Sequence, residues 1–355
     1  MERHQNPGKS RGGTTSSKTI WIILSGLLVV SVVVSLSLGR YAISISELCG
    51  IVMESLNING VFPPVSDQSS MVFWNVRLPR VVMAFAVGSG ISVAGVVFQA
   101  IFRNPLASPD ILGVSGGAAF GAALCIVFFT EATLGIQGCA FGFGILAVII
   151  TYLLAARSLD RSTSVLVISG IVVWALFQAG LSIMQYLANP YDQLAKIMFW
   201  TMGSFQVSTW TKVEITLPIV VLGTIILTVF SWRLNIMTQD EKQILSLGVN
   251  VRKWRTLYIG ISTLIVASAV STVGEIKWVG LIMPHIARYL VGTEHKRLVP
   301  VSAFLGGSFM LLMDTLARTA AASEIPISII TSVIGAPFLG YLVLSKKGGV
   351  SEGEH

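Results

Sequence analysis

Residues 77–118 read RLPRVVMAFAVGSGISVAGVVFQAIFRNPLASPDILGVSGGA. An uncharged run at 81–102 is followed by the eight residues RNPLASPD and then by a second apolar run that is rich in glycine. About 20 apolar residues in a helix cross a bilayer. Proline removes a backbone donor and biases the preceding residue towards extended geometry. The stretch therefore predicts two membrane helices joined by a tight non-helical turn, around which the rest of the chain is arranged.

The composition places the whole chain in the membrane class. Of its 355 residues, 53% are hydrophobic and 12% charged, and the mean hydropathy is +0.77. Soluble domains carry about 25% charged residues. The net charge of +7 fits basic cytoplasmic loops better than a nucleic-acid partner, since Lys and Arg accumulate on the cytoplasmic side of membrane proteins. We expect a multi-pass protein of the cytoplasmic (inner) membrane, with the lipid bilayer as a partner and no nucleic acid.

The apolar runs predict an all-α integral membrane protein, a bundle of about ten transmembrane helices with both termini cytoplasmic. With this orientation 17 of the 24 Lys and Arg residues fall inside and 7 outside, as the positive-inside rule requires. We expect a basic, disordered tail at 1–19, a membrane domain at 20–345, a cytoplasmic tail at 346–355, and an interfacial helix at 197–205. The predicted spans are 20–38, 81–101, 111–130, 133–156, 162–187, 213–231, 257–274, 278–292, 298–316 and 326–345.

Motifs for enzyme chemistry are missing from the sequence. There is no phosphate-binding loop and no His-Glu-x-x-His zinc motif, so neither a cofactor nor a metal site is expected. Ser115, in GVSGG, resembles a nucleophile elbow, but it opens a membrane helix and we do not expect catalysis there. Asp314 and Glu324 are the only good candidates for intramembrane carboxylates. Carriers driven by ion gradients usually need more such groups, so energy for transport would come from a partner.

The segment 233–255 is the longest predicted cytoplasmic loop. Its part from Ile236 to Asn250 has the pattern of a short amphipathic helix with Gly248 as its carboxyl cap. The apolar residues Ile236, Met237, Ile244 and Leu247 would share one side. Two interpretations stay open from the composition: a solvated connector on the membrane surface, or a docking helix for a cytoplasmic motor.

Three arginines are predicted at the outer ends of spans. Arg77 and Arg80 precede the second span, and Arg318 follows the ninth. Long basic side chains often anchor helices at the interface. A patch of three instead favours docking of an acidic partner by electrostatic steering.

From residue 71 to residue 344 the chain resembles the iron-chelate and cobalamin uptake permeases of ATP-binding cassette (ABC) importers. The resemblance depends on many short motifs in the same order along the chain. They are RLPR at 77–80, Gln99, the residues Arg103, Asn104 and Pro105 of RNPLA, Pro109 with 112–113, Trp200 with 203–205, 247–249, 279–281, Pro284 and His285 with Arg288, Glu324 with Pro326, and 335–338.

The resemblance implies a permease subunit, not an enzyme. Its implied partners are two cytoplasmic ATP-binding subunits, a second identical or related permease subunit, and an extracytoplasmic substrate-binding protein. It also implies site residues: Arg77, Arg80 and Arg318 for binding-protein docking, Thr163 and Ser164 for a cytoplasmic gate, and Glu241, Leu247 and Gly248, in a coupling segment at about 237–252, for contact with the ATPase.

The implied cargo is an iron–siderophore complex. Cobalamin, haem and molybdate stay open within the same family, and an ion-gradient-driven secondary transporter is the alternative outside it. The chain departs from the family pattern at Asp240 and Ile244, where glycine and alanine are common. Trp278 replaces a usual phenylalanine.

Overall fold

The computed structural model describes residues 17–58, 62, 64–129, 132–158, 162–239 and 241–347, which contain fifteen α-helices and no β-strand. A π-helical turn at Phe73–Arg77 precedes α4, and a 3₁₀ turn at Pro109–Leu112 precedes α5. Most of the predicted tails, with Asp240, lies outside the described residues. The helices are α1 Ser17–Ser37, α2 Ile45–Ser55, α3 Asp67–Val72, α4 Leu78–Ile101, α5 Val114–Phe128, α6 Thr133–Ala156, α7 Thr163–Leu187, α8 Gln193–Met202, α9 Trp210–Val229, α10 Ser231–Met237, α11 Glu241–Ser246, α12 Val251–Val273, α13 Val279–Val291, α14 His295–Thr319 and α15 Ile327–Lys347.

Helix α4 is the centre of the bundle. Twenty-one of its 24 residues are buried, and it packs against α9, α12, α13 and α14. Glycines permit two close crossings: Gly88 lies against the Gly306 backbone in α14, and Gly95 lies against Gly280 in α13. Small residues let helix backbones approach in membranes, where packing and not water drives association. A helix that is apolar on all sides is thus buried within the protein.

Seven helices are long and apolar enough to cross a membrane, including a continuous helical stretch at Asp67–Ile101 that contains α4. Three shorter apolar helices, α5, α13 and the first part of α15, fall on the other predicted spans. The chain is therefore an all-helical multi-pass membrane protein. The number of ten crossings and the cytoplasmic position of both termini stay predictions.

Two of the short helices begin inside the protein. Gly280, near the start of α13, packs on the Ile91 carbonyl in the middle of α4 and on the Pro109 ring. The sequence predicts a plain turn at 103–110 with a span from 111. Instead, residues 109–112 form the 3₁₀ turn, Gly113 adopts a φ of +82°, and α5 begins at Val114. The starts of α5 and α13 consequently meet at α4.

Other boundaries differ from the prediction where charged residues are helical. Helix α12 starts at Val251, six residues before the predicted span, because Asn250 caps it by accepting the Lys253 N–H at 3.0 Å. The predicted interfacial helix at 197–205 is α8, which packs against α5 and α15. Helices α2 and α3 were not predicted; both are short and capped by serine, Ser44 and Ser66 respectively.

Candidate functional site

The three predicted docking arginines lie close together but are buried. Arg77 is 3% exposed, and Arg80 and Arg318 are each 8% exposed. The Arg80 guanidinium donates to both carboxylate oxygens of Asp314, at 2.7 to 3.0 Å, and to Glu324. The two carboxylates predicted to lie in the membrane are thus ion partners of Arg80.

The other two arginines donate mainly to groups of the chain's amino-terminal part. Arg77 donates to the carbonyls of Leu36 and Tyr41. Arg318 donates to the carbonyl of Ser35 and, at 2.8 Å, to its hydroxyl, with its Nε 3.8 Å from Asp314. The arginine cluster therefore ties α1 to the start of α4 and the end of α14 in this conformation. A role in docking stays a prediction.

A groove at the opposite end of α4 from Arg80 gathers part of the family motif. A cavity of about 530 Å³ is lined by Arg103, Asn104 and Pro105 after α4 and by Arg288 in α13. Arg288 donates to Gln99 Oε1 at 2.8 Å, which ties α13 to the end of α4. Pro284 lies inside α13, and His285 packs edge-on against Phe338 with ring centroids 6.3 Å apart. Neither of these two residues lines the groove.

The start of α14 forms the opposite wall of the groove. Glu294 caps α14 by accepting the N–H groups of Lys296 and Arg297 at 3.1 and 3.2 Å. Asn235 at the end of α10 donates to Glu294 at 3.0 Å and accepts the His295 N–H at 3.1 Å. Slight burial raises the pKa of Glu294, but these hydrogen bonds outweigh it and hold the pKa below its ordinary value. The groove thereby connects α4, α13 and α14 with the segment that leads into α11.

The predicted coupling segment is two helices, α10 and α11, and not one continuous amphipathic helix. Met237 and Ile244 are buried, but Leu247 is 64% exposed, so the prediction that it shares their side is wrong. Gly248 follows α11 with a φ of +70°, a conformation that favours glycine and suits a carboxyl cap. Glu241 is the first residue of α11. Among the side chains that the structure describes in this segment, Leu247 is therefore the large apolar one on the outside of the subunit.

The predicted gate residues stand at the start of α7. Thr163 is its first residue and Ser164 its second, after the cap residue Ser162. Ser164 is exposed and Thr163 half-buried. Neither residue lines the groove or belongs to the coupling segment. Their gating role stays a prediction.

A second, larger cavity lies at the other end of the bundle. Its volume is about 710 Å³, and its wall comes from α6, α8, the start of α9, the end of α12 and the connection before α15. Tyr191 and Lys196 on its rim are exposed, whereas Gln137 and Lys212 are 6% and 4% exposed. The cavity thus leads from an open rim to a buried polar wall.

A comparison of the sequence with models of protein families shows which family this helical bundle belongs to. The model of the FecCD transport family matches residues 27–345. The chain belongs to the FecCD transport family. This match confirms the resemblance drawn from the motifs, and it extends beyond them to α1.

Relatives in the FecCD family are import permeases for different cargoes. The chain is 42% identical over 331 residues to the molybdate import system permease protein MolB of Haemophilus influenzae, covering 93% of this chain and 96% of that one. It is 34% identical over 341 residues to the iron(3+)-hydroxamate import system permease protein FhuG of Bacillus subtilis, covering 93% and 98%. The chain is accordingly a permease of the ABC-importer class.

A solved structure supports the fold. An inward-facing transporter assigned to the metal-chelate ABC type superposes with a TM-score of 0.83 at 39% identity, covering 92% of this chain and 99% of that one. Short helices that begin inside the bundle, such as α5 and α13, are therefore compatible with the FecCD fold.

Sequence reasoning missed the polar wall of the large cavity. It placed Lys212 in an outside segment because the apolar run began at Val213. In the structure Thr209 caps α9, so that Lys212 lies in the first turn of a membrane helix. The Thr-x-x-Lys spacing of such a cap could have indicated this position. The sequence around Gln137 in α6 has no pattern that would distinguish a binding residue from an amide side chain packed between helices.

Proposed function

We propose that this chain is the permease subunit of an ABC importer in the cytoplasmic (inner) membrane, and that it carries an iron–siderophore complex. In this proposal an extracytoplasmic binding protein delivers the cargo, a second permease subunit completes the path, and two cytoplasmic ATP-binding subunits hydrolyse ATP. The observation that carries the proposal is the match to the FecCD family over residues 27–345.

The cytoplasmic side offers a plausible surface for the ATP-binding subunits. Leu247 is 64% exposed beside the αL turn at Gly248. The groove beside it is held by the Asn235–Glu294 hydrogen bond and the Arg288–Gln99 hydrogen bond. Packed helices transmit force as nearly rigid bodies. Closure of the ATP-binding subunits would therefore move α10 and α11 together with the ends of α4 and α13.

Molybdate is the second candidate cargo. The observation that favours it is the 42% identity to a molybdate permease over 96% of that protein's length. A cargo shifts a permease between its conformations only by binding them with different affinity. The cargo is therefore set by the few residues of the path that contact it. Family membership alone thus leaves both cargoes to experiment.

Transport into proteoliposomes tests the function. The chain is co-expressed with the ATP-binding and binding proteins encoded beside it, reconstituted, and supplied with ⁵⁵Fe–siderophore or ⁹⁹Mo-molybdate. We expect uptake only with ATP on the side of the ATP-binding subunits. Uptake by the chain alone under a sodium or proton gradient would refute the ABC mechanism and favour a secondary transporter.

Docking through the arginines needs a test that preserves packing. The double variant of Arg80→Gln and Asp314→Asn removes one positive and one negative charge and leaves a hydrogen-bonding amide at each position. If Arg80 binds a glutamate of the binding protein, we expect weaker docking, with a smaller salt dependence. Unchanged affinity would count against Arg80 as a docking residue.

Gating is tested at the start of α7. Leucine or phenylalanine at Thr163 or Ser164 would fill a cytoplasmic constriction formed by the two permease subunits. We expect a change in passive leak of cargo from loaded vesicles. Leak equal to that of the unchanged chain would contradict the gate.

A further inference from the structure

The buried wall of the 710 Å³ cavity carries an uncompensated cation. Lys212 is 4% exposed, and its ammonium group donates only one hydrogen bond, to the Thr272 carbonyl at 3.4 Å, among the described residues. No carboxylate in the described ranges lies within ion-pair distance of it. Burying an unpaired ammonium group costs several kcal/mol, and an apolar side chain could fill the same space without that cost.

The other charged side chains that line the cavity have ion-pair or hydrogen-bond partners within the protein. Lys196 pairs with Asp192 at 2.7 Å. Glu324 pairs with Arg80. Arg40, on the exposed rim, donates to the Ala322 carbonyl at 2.7 Å. Lys212 is therefore the buried charge of this cavity that the described protein groups do not neutralise.

A fixed hydrogen-bond network holds the wall beside Lys212. Gln137 Nε2 donates to the Thr272 hydroxyl at 2.8 Å, and that hydroxyl donates to the Ser268 carbonyl at 2.8 Å. The Thr216 hydroxyl lies 2.6 Å from the same Thr272 oxygen. Thr272 consequently connects Gln137, through its hydroxyl, with Lys212, through its carbonyl.

Gln137 supplies the second observation that indicates a ligand. Its Oε1 atom is buried and has no hydrogen-bond partner among the described residues, although the side chain is only 6% exposed and lines the cavity. A buried acceptor without a donor is destabilising. A ligand at this wall would thus offer an anionic oxygen to Lys212 and a proton, its own or that of a bound water, to Gln137.

The cavity is large enough for such a ligand and is open at its rim. Its volume lies within the roughly 300–1,000 Å³ of small-molecule sites. Tyr191 on the rim is 95% exposed, and Phe199 and Trp200 provide apolar wall between the rim and Lys212. A metal complex or an oxyanion therefore has an open route to the buried lysine.

We propose that Lys212 and Gln137 form a subsite of the transport path that binds the anionic oxygens of the cargo. Its ligand class is a tetrahedral oxyanion such as molybdate or the carboxylate-bearing face of a ferric chelate. The inference rests on the proposed transport function, which it extends by naming the chemistry that the path recognises.

Equilibrium dialysis tests the subsite without ATP. The full chain in nanodiscs is titrated at low salt with ⁹⁹Mo-molybdate, with ⁵⁵Fe(III)–citrate, and with ⁵⁷Co-cyanocobalamin as an electrically neutral probe. We expect saturable binding of at least one anionic probe, weakened about tenfold or more in Lys212→Met because a charge-assisted hydrogen bond is lost. Lys212→Arg should retain most of the affinity, and Lys18→Met, which removes an exposed cation at the start of α1, should bind like the unchanged chain.

The outcomes separate the subsite from the transport function. Equal affinity in Lys212→Met, no saturable anion binding, or binding of cyanocobalamin only would overturn the subsite. Lys212→Met should also be at least as thermostable as the unchanged chain, since a buried charge is replaced by an apolar group; a large loss would assign Lys212 a structural role instead. If anion binding depends on Lys212 but liposomes show no ATP-driven uptake, the transport function fails and the anion site stands.

Discussion

Replacing Gly95 with alanine should separate two helices of the core. A Cβ atom added at Gly95 would lie 1.9 Å from the Gly280 carbonyl oxygen, 2.7 Å from its carbon and 2.9 Å from its Cα. All three atoms are backbone, so no side chain can rotate away. The oxygen would have to withdraw to about 3.4 Å, the short limit of ordinary contact, and α4 and α13 would move apart by about 1.5 Å.

The cost follows from how closely the two helices pack. Overpacking a core costs about 1–3 kcal/mol or more, whereas alanine itself stabilises a helix interior over glycine by about 1 kcal/mol. Gly260 in α12 offers a matched control, because it is also in a helix interior and a Cβ there would meet nothing within 4 Å. Both variants gain the same propensity, so their difference reports the crowding alone.

The assay is thermal unfolding of the purified chain in detergent, followed by intrinsic fluorescence. We expect Gly95→Ala to lower the Tm by about 5 °C or more relative to Gly260→Ala. Equal Tm values for the two variants would show that α4 and α13 can separate without cost. That result would refute the conclusion that Gly95 is needed for the close crossing of α4 and α13.

Four further substitutions address the charged groups and the coupling segment. Arg80→Gln should destabilise the chain by about 3–5 kcal/mol, because it removes the ion partner that Asp314 and Glu324 share; Asp314→Asn should cost less, because Glu324 still pairs with Arg80, and the double variant should lose less than the sum of the two; strict additivity in thermal unfolding would exclude the pair. Glu294→Ala should cost about 1 kcal/mol by removing the α14 cap, and the difference from the unchanged chain should shrink as the pH falls from the ordinary pKa of 4.5 towards the lowered pKa of Glu294, because its stabilisation is fully present only above 4.5; a difference that does not shrink between pH 5 and pH 3 would contradict this. Leu247→Ser should leave the Tm unchanged but reduce co-purification of the ATP-binding subunit, and full co-purification would remove Leu247 from the contact.

The sequence predicted helix positions well where the charged residues that flank an apolar run lie outside the helix, as Arg157 and Arg161 do. The predicted span 133–156 coincides with α6, and 162–187 starts one residue before α7. The prediction was wrong at the start of α12, because the spans were defined as runs without charged residues. That definition leaves out a helix end that carries Arg252 and Lys253. It also failed before α5, where φ of +82° at Gly113 and packing against Trp174, not hydropathy, set the helix start.

The candidate sites were harder to predict because their contacts join distant parts of the chain. Arg80 and Asp314 are 234 positions apart, and each lies in a region whose local pattern is simply that of a helix end. The sequence indicated that the arginines cluster but not that carboxylates of the same chain pair with Arg80. Leu247 likewise fits an amphipathic pattern that only the break between α10 and α11 overrules.

The buried arginines and the buried Lys212, at the same end of the bundle, differ in whether protein groups compensate their charge. Arg80 has two carboxylate partners, and Arg77 and Arg318 donate to main-chain carbonyls. Groups of the same chain therefore accept hydrogen bonds from all three guanidinium groups, and these bonds stabilise the contact of α1 with α4 and α14. Lys212 has one long hydrogen bond and faces a cavity that is open at its rim. Since a buried charge without a partner is costly, packing within the fold accounts for the compensated cluster, whereas the uncompensated Lys212 is the basis of the proposed anion subsite.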